Sequence, residues 1–475
     1  LNKFSLHNLP RMARPPKIAA RDLTLRLIAD GPTPAADLAG RLRVDPSTIT
    51  RTLGGLGSDL VRLGATRRTR YALRRKVREL ATTFPLYRID SSGRPEAWGT
   101  LEAYHRAWRV TWAGLPPAWA SRFSDPEGIW ESFPFFLGDV RPQGFLGTAI
   151  LRRIAPAHRL PEDPRKWEDD DTLLFLATCG EDLPGNLAVG DACLRRALAL
   201  QVTPAPESTL APHQAMTRYP EMATRAATDP PPGSSAGGEQ PKFLATLEES
   251  GIERRSVLVK FSPPMVQAAG RRWADLLAME FHALAILAEA GLSDNGHRLI
   301  DAGGRRFMEM TRFDRTAAGG RSGVISLEAL HASAIGGNAV SWTERVVDLE
   351  QAGLIGPDAV RDTRRLHAFG ELIGNTDMHA GNLAFRMTDE LPFTLAPAYD
   401  MLPMLWAPGP QGELIDRTFA PQPPVPADAE AWREMLDPAR DFWNRVIGDQ
   451  RVSREFAATA RAAGESLARL AERFG

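Results

Sequence analysis

Over residues 17–29 apolar side chains recur at Ile18, Leu23, Leu27 and Ile28, the spacing that lines one face of an α-helix, and Gly31-Pro32 end the run. Thr33 can cap a second helix with Pro34 at its first position, where a missing N–H costs nothing; that helix ends near Leu42. After a turn through Val44, Asp45-Pro46 repeat the cap-then-proline device for a third helix reaching about Leu56. Two short helices joined by a tight turn predict a helix-turn-helix. Residues 60–63 and 71–73 then alternate like strands around 64–70, a hairpin placed where a wing would be.

Further along, residues 84–104 pattern as a β-hairpin opening a new domain, and a mixed α/β region follows to about Val202. It contains Pro134-Phe-Phe-Leu-Gly-Asp and Glu181-Asp-Leu-Pro-Gly-Asn-Leu-Ala-Val-Gly, whose chemistry the sequence does not reveal. Residues 203–235, rich in Pro, Ala, Ser and Thr, predict an extended or mobile connection. Past it, Val257-Leu-Val-Lys-Phe is a short apolar strand carrying Lys260, and residues 273–290 form a long amphipathic helix with Glu280 near its middle. Residues 383–385 and 393–395 predict one more hairpin.

A chain of 475 residues is too long for one ordinary core, and 43% hydrophobic with 24% charged residues is the mix of a soluble globular protein. No apolar run reaches 18 residues, so no membrane span is expected, and the basic N-terminus lacks the apolar stretch of a secretory signal. Cys179 and Cys193 are too few for a disulfide framework and wrongly spaced for a zinc site, which fits a reducing cytoplasm. The zero net charge hides an asymmetry. Residues 1–80 hold 17 Lys/Arg against 6 Asp/Glu, and the remainder 41 against 52. A basic head on an acidic body suggests that the first domain meets a polyanion. On the third helix Ser47, Thr48, Thr50 and Arg51 would face the major groove of double-stranded DNA, with Arg67, Arg68 and Arg70 of the wing on phosphates or the minor groove. The alternative is a winged helix used for protein contacts, its arginines merely solvated.

The chemistry concentrates downstream. Ser234-Ser-Ala-Gly-Gly-Glu-Gln-Pro-Lys-Phe is a Gly-rich turn before a strand; Lys260 and Glu280 follow in the order in which protein kinases build an ATP site. Each piece alone is weak. Asn375-Thr-Asp-Met-His-Ala-Gly-Asn is sharper: Asn382 stands five residues after Asp377, the spacing of a kinase catalytic loop, where the aspartate takes the hydroxyl proton and the asparagine ligates magnesium. Asp400, after Ala398-Tyr399, falls where a second metal-binding carboxylate belongs. Hard oxygen ligands completed by phosphate and water suit Mg²⁺. His379 either braces the loop or approaches the nucleotide, and Gly381 is read as room for backbone near phosphate or metal.

These segments, with Arg312-Phe-Asp-Arg, resemble the HipA family of bacterial toxin kinases over about residues 84–475, and the added head resembles its YjjJ (HipH) subgroup. The resemblance implies an α+β, two-lobed kinase-like fold preceded by a small winged helix-turn-helix domain. Its partition here would be 1–80 for the DNA-binding head, 81–235 for the family's N-terminal subdomain and connection, 236–310 for the N-lobe and 311–475 for the helical C-lobe. It further implies an ATP- and Mg²⁺-dependent, cytoplasmic serine/threonine kinase with Asp377 as catalytic base and Asn382 and Asp400 on the metal. Ala236, Gly237, Gly238, Gln240, Lys242, Lys260 and His379 would surround the nucleotide, with Thr311 and Phe313 in the hinge beside adenine. Ser234 best matches the family's autophosphorylated serine, with Ser235 its rival. The implied substrate is a protein such as an aminoacyl-tRNA synthetase; the attached head puts dependence on a separate antitoxin in doubt. Thr311 stands where the family's well-known toxin has Glu, and Gly381 where Lys is common. The competing reading is a transcription regulator whose kinase-like body senses a nucleotide without catalysis.

Overall fold

The computed structural model describes residues 20–53, 58–64, 69–142, 144–228, 240–248, 253–294 and 296–474. They fall into two compact units. The first comprises the described residues up to Phe84 together with Thr100–Thr111 and Ser124–Phe133; the second comprises Pro85–Gly99, Trp112–Phe123 and the rest of the chain from Pro134. By compactness, the segment from 81 onward contributes to both units.

In the first unit, α1 (Ala20–Asp30), β1 (Thr33–Pro34), α2 (Ala35–Leu42), α3 (Pro46–Leu53), β2 (Leu60–Leu63) and β3 (Arg70–Leu73) follow one another. The strands form an antiparallel sheet in the order β1-β3-β2. Leu23 and Leu27 of α1, Leu38 of α2, Ile49 and Leu53 of α3 and Leu73 of β3 make its core. Asp45 Oδ1 accepts from Ser47 N at 2.8 Å and so starts α3 as expected. Thr33 does not cap α2. It pairs with Tyr71 in the sheet and its hydroxyl donates to Gly31 O at 2.9 Å, leaving Pro34 as N-cap. The end expected near Leu56 and the wing residues Arg67 and Arg68 lie outside the described residues.

Two expected DNA contacts need correction. Thr48 is 8% exposed, because helical spacing puts it on the inner face beside Ile49, whereas Ser47, Thr50 and Arg51 are exposed. Arg70 is ion-paired with Asp125 and lies 3.4 Å from Glu127, so its charge is already answered within its own unit.

Then come β4 (Thr83–Ile89), β5 (Pro95–Tyr104), β6 (Ala107–Trp112), β7 (Ile129–Trp130), α4 (Phe135–Gly138), α5 (Gly144–His158), α6 (Asp169–Cys179), β8 (Leu187–Val189) and α7 (Asp191–Val202). The turn of the predicted β4–β5 hairpin is set by Asp90, whose Oδ1 accepts from Ser92 N at 2.8 Å and Arg94 N at 2.9 Å. In the second unit Trp98, Trp112, Trp119 and Phe136 pack edge to face or tilted around one another, and the Trp119 indole donates to Thr388 O at 2.8 Å.

The connection expected to be extended is largely folded: β9 (Thr209–Leu210) and α8 (Ala215–Thr228) occupy it. β9 pairs in parallel with β10 (Lys242–Glu248). β11 (Arg254–Phe261), α9 (Ala268–Glu289), β12 (His297–Ala302) and β13 (Arg305–Thr311) complete a five-stranded sheet ordered β12-β13-β11-β10-β9. Tyr219 and Ala223 of α8 bury against Phe243, Val257 and Phe307 of that sheet. Composition hid this, since Pro220 inside α8 and its scattered alanines read as linker. The sheet carrying Lys260 thus takes in a strand from as early as residue 209.

The remainder runs β14 (Val324–Ser326), α10 (Leu327–Ala334), α11 (Trp342–Gln351), α12 (Pro357–Ile373), β15 (Ala384–Arg386), β16 (Thr394–Leu395), α13 (Ala429–Gly448) and α14 (Arg454–Phe474). The predicted β15–β16 hairpin pairs Phe385 with Leu395, and β14 adds to β15. α12 packs between α11 and α13 and delivers the chain to the loop at 375–382.

Candidate active site

β11 alternates so that Val257 and Val259 are fully buried on one face, while Lys260, 2% exposed, points the other way. In the antiparallel register Lys242 of β10 lies directly opposite it. The Lys260 ammonium bonds to Glu280 of α9 and to Asp400, so strand, helix and the segment after β16 meet at one nitrogen. Burial opposes the lysine's charge, but Asp400 and Glu280 outweigh it and hold the ammonium above its ordinary range. Burial likewise raises Glu280, against the pull of Lys260. For Asp400 burial is overcome by Lys260 and Lys242, and the carboxyl stays well below the usual carboxylate range. Asp400 itself has φ 52°, a left-handed backbone that costs energy outside glycine and clusters at functional sites.

The loop is built from main-chain contacts. Gly374, at φ 79°, takes the left-handed C-cap that ends α12. Asn375 Oδ1 then accepts from Asp377 N at 3.0 Å, and Asn382 Nδ2 donates to Asp377 O at 2.9 Å, closing the turn. His379 Nδ1 accepts from Gly381 N at 3.1 Å, and its carbonyl accepts from the Trp342 indole at 2.9 Å, so the histidine braces the loop. A Cβ on Gly381 would lie 2.9 Å from His379 Cε1; the space this glycine leaves is filled by that ring. Asp377 is exposed, yet partial burial of its carboxyl raises its pKa, with His379 and Lys242 pulling down and Asp400 pushing up. Tyr399 donates to Gly381 O at 3.0 Å and stacks on Phe313, ring centroids 6.0 Å apart at 23°.

Asp400 therefore interacts with Lys260, Lys242, His379 and Asp377, with Asn382 bonded to Asp377 and Phe313 stacked against the residue preceding Asp400. Thr311 ends β13 with its hydroxyl held by Arg255 at 3.3 Å. Ser234, Ser235, Ala236, Gly237 and Gly238 lie outside the described residues. Sequence reasoning gave no role to Asn375 or Tyr399, although both stand inside the motifs that were singled out, and it missed Asp139. That residue's carboxylate accepts from Ser326 N at 2.8 Å and also binds its hydroxyl, fixing the start of α10, which packs along the turn Ala380–Asn382.

The residues present suit a nucleotide with magnesium. Gln240 Nε2 and Glu280 Oε2 are buried without a hydrogen-bond partner among the described residues, and such orphans need a ligand or water. One amide oxygen and one carboxylate are a donor set that Mg²⁺ completes with phosphate oxygens and water.

The chain has relatives among known proteins. "Toxin YjjJ" of Escherichia coli (strain K12) is 33% identical over 451 residues, covering 94% of this chain and 97% of its own. The chain belongs to the YjjJ-like toxins. Residues 80–198 match the description "YjjJ-like toxin, middle domain" and residues 234–466 match "HipA-like C-terminal domain". This YjjJ-like chain has the α+β, HipA-like kinase fold: HipA from Shewanella oneidensis MR-1, solved with HipB and operator DNA, aligns over 82% of this chain and 97% of its own with a TM-score of 0.51 at 18% identity. The Helicobacter pylori proinflammatory kinase CtkA matches 49% of this chain and 90% of its own at 12% identity and a TM-score of 0.35, too loosely to bear on the argument. Among the described residues no helix is long and apolar enough to cross a membrane.

Proposed function

We propose that this YjjJ-like toxin is an ATP- and Mg²⁺-dependent protein serine/threonine kinase that autophosphorylates in the cytoplasm. The observation that carries the reading is the convergence of a strand lysine, a helix glutamate and Asp400 beside the Asp377–Asn382 turn. Bound magnesium would neutralise charge developing on the transferred phosphoryl group. Asn382 and Asp400 would hold it, and Lys260 and Lys242 would hold the nucleotide's phosphates. Asp377 would accept the proton of the attacking hydroxyl, Gln240 would line the nucleotide site, and Phe313 would stand beside adenine. Phosphoryl transfer asks little more of a protein than such positioning and neutralisation. The family likeness favours Ser234 or Ser235 as the self-modified residue and a protein such as an aminoacyl-tRNA synthetase as the external acceptor. The test is incubation with labelled ATP and Mg²⁺ followed by mass spectrometry. Phosphate on Ser234 or Ser235 is expected, and a chain that takes up no label ends the reading in favour of a nucleotide-sensing regulator.

The first unit supports a second activity of the same chain, binding double-stranded DNA as a winged helix. Ser47, Thr50 and Arg51 share the exposed side of α3, and the surrounding segment carries the excess of basic residues. Shewanella HipA was solved with a separate HipB and operator DNA; here the DNA-binding part would be covalently attached. Arg51→Ala is expected to weaken operator binding by about 1–3 kcal/mol and leave autophosphorylation unchanged, measured by titration of duplex DNA at fixed salt. Equal affinity of the two proteins would reject the assignment of α3.

A further inference from the structure

The motif Glu181-Asp-Leu-Pro-Gly, left unexplained by the proposed reaction, grips the segment that leaves β13. Asp182 Oδ1 accepts from Arg312 Nη1 at 2.9 Å and from Arg315 Nη2 at 3.0 Å. Arg315 also donates to Leu183 O at 2.8 Å and Gly185 O at 3.0 Å, and Gly185 N donates back to Asp314 at 2.9 Å. Asp314 in turn takes both Arg312, at 3.0 Å, and Arg315, at 2.7 Å. Arg321 Nη2 donates to Glu181 O at 2.7 Å, while its Nη1 is buried with no partner among the described residues.

The charges do not balance. The buried guanidiniums of Arg312, Arg315 and Arg321 face two carboxylates, of which Asp314 is 9% exposed and Asp182 45%. Burial, reinforced by Arg315, pushes Arg321 down to about 10. Without Asp182, one carboxylate would answer three guanidiniums, and Arg312 and Arg315 would lose their shared acceptor.

Between those two arginines stands Phe313. It stacks on Tyr399, which is followed by Asp400 and whose hydroxyl holds Gly381 O of the loop. A continuous set of contacts therefore runs from the Glu181–Gly185 motif through 312–315 to both groups proposed to hold magnesium. We propose that Asp182 is a positioning residue for the nucleotide site: through Arg312 and Arg315 it fixes Phe313, and through Phe313 and Tyr399 the placement of Asp400 and Asn382.

This rests on the kinase reading, and the experiment separates the two. The full chain is titrated with ATP and Mg²⁺ by calorimetry, and KM and kcat for ATP are measured in autophosphorylation. Asp182→Asn is expected to weaken ATP binding by roughly 5- to 30-fold and raise KM in parallel, with kcat held within about threefold. Asp182→Glu, which restores the carboxylate, should recover most of the loss. A merely structural residue would instead reduce the active fraction, lowering apparent kcat at an unchanged KM. A folded Asn variant with wild-type affinity overturns the inference and leaves the kinase reading intact; a wild-type chain that binds no ATP overturns both. If the Asn variant does not fold, Arg315→Lys decides. It keeps the charge but loses the forked contacts to Asp182, Leu183 and Gly185, so weaker ATP binding is expected and unchanged binding overturns the inference.

Discussion

Asp377→Asn is expected to lower autophosphorylation by about 10²- to 10⁴-fold while ATP binding survives. The substitution is nearly isosteric, and the loop does not depend on the carboxylate. Asp377 is held through its main chain, by Asn375 Oδ1 on its N–H and by Asn382 Nδ2 on its carbonyl. What disappears is a carboxylate that makes no ion pair among the described residues and is pushed up from its ordinary value, the direction that suits a base accepting a hydroxyl proton. Removing a negative charge near Asp400 does nothing to repel a nucleotide's phosphates, so binding should hold or tighten. The measurements are the rate of label incorporation and the ATP dissociation constant of the same preparation. Unchanged incorporation would remove Asp377 from the mechanism, whereas loss of binding together with labelling would mean that it serves the nucleotide and not the proton.

The contacts that make this site were legible in the sequence to very different degrees. The Asp377-to-Asn382 spacing and Asp400 were readable because one short loop and one strand end carry them, and local spacing survives folding. Lys260 and Glu280 were readable only as an order of elements. That the lysine would bind Glu280 and Asp400 at once depends on β11, α9 and the segment after β16 meeting in space, which periodicity does not encode. Gly381 was noticed for the right property, missing bulk, but what occupies the space is the ring of His379, two residues away. Position at the start of α3 suggested Thr48 as a DNA contact, but the helical period turns it inward with Ile49. The failure at 203–228 has the same root. Proline and alanine spell linker by composition, yet α8 tolerates Pro220 and buries Tyr219, whose hydroxyl reaches the fully buried Glu309 at 2.6 Å. Asp139 and Asp182 were invisible for a further reason. Their partners, Ser326 and Arg312 with Arg315, are more than a hundred residues away in sequence, and no local pattern marks such a pair.

Lys260→Met should destabilise the second unit by about 3–5 kcal/mol, the usual cost of leaving a buried charge uncompensated. Met fills the lysine's stem with little change of volume, so packing is nearly conserved and electrostatics dominates. Glu280, wholly buried, loses the ammonium it faces, and Asp400 is left with the pull of Lys242 and His379. The wild-type arrangement has a defined pH window. Asp400 is depressed from 3.8, so its contribution is present above that value and is lost as pH falls through the folded-state pKa. Lys260 is raised from 10.5, so its contribution is present below that value and is lost as pH rises through the folded-state pKa. Across neutral pH both are intact, and there the variant should be worst. Glu280 is already raised by burial, and without the lysine it rises further and takes up a proton as pH falls, so the gap from wild type should narrow in acid. Adding Glu280→Leu should recover most of the stability at neutral pH, because the buried carboxylate left uncompensated by the first substitution is then gone, and recover no phosphoryl transfer. Urea unfolding followed by circular dichroism at pH 5 and pH 8 reads all three proteins. A single variant as stable as wild type at pH 8 would mean that Lys260 and Glu280 do not face each other as charges, and the site built around that nitrogen would have to be abandoned.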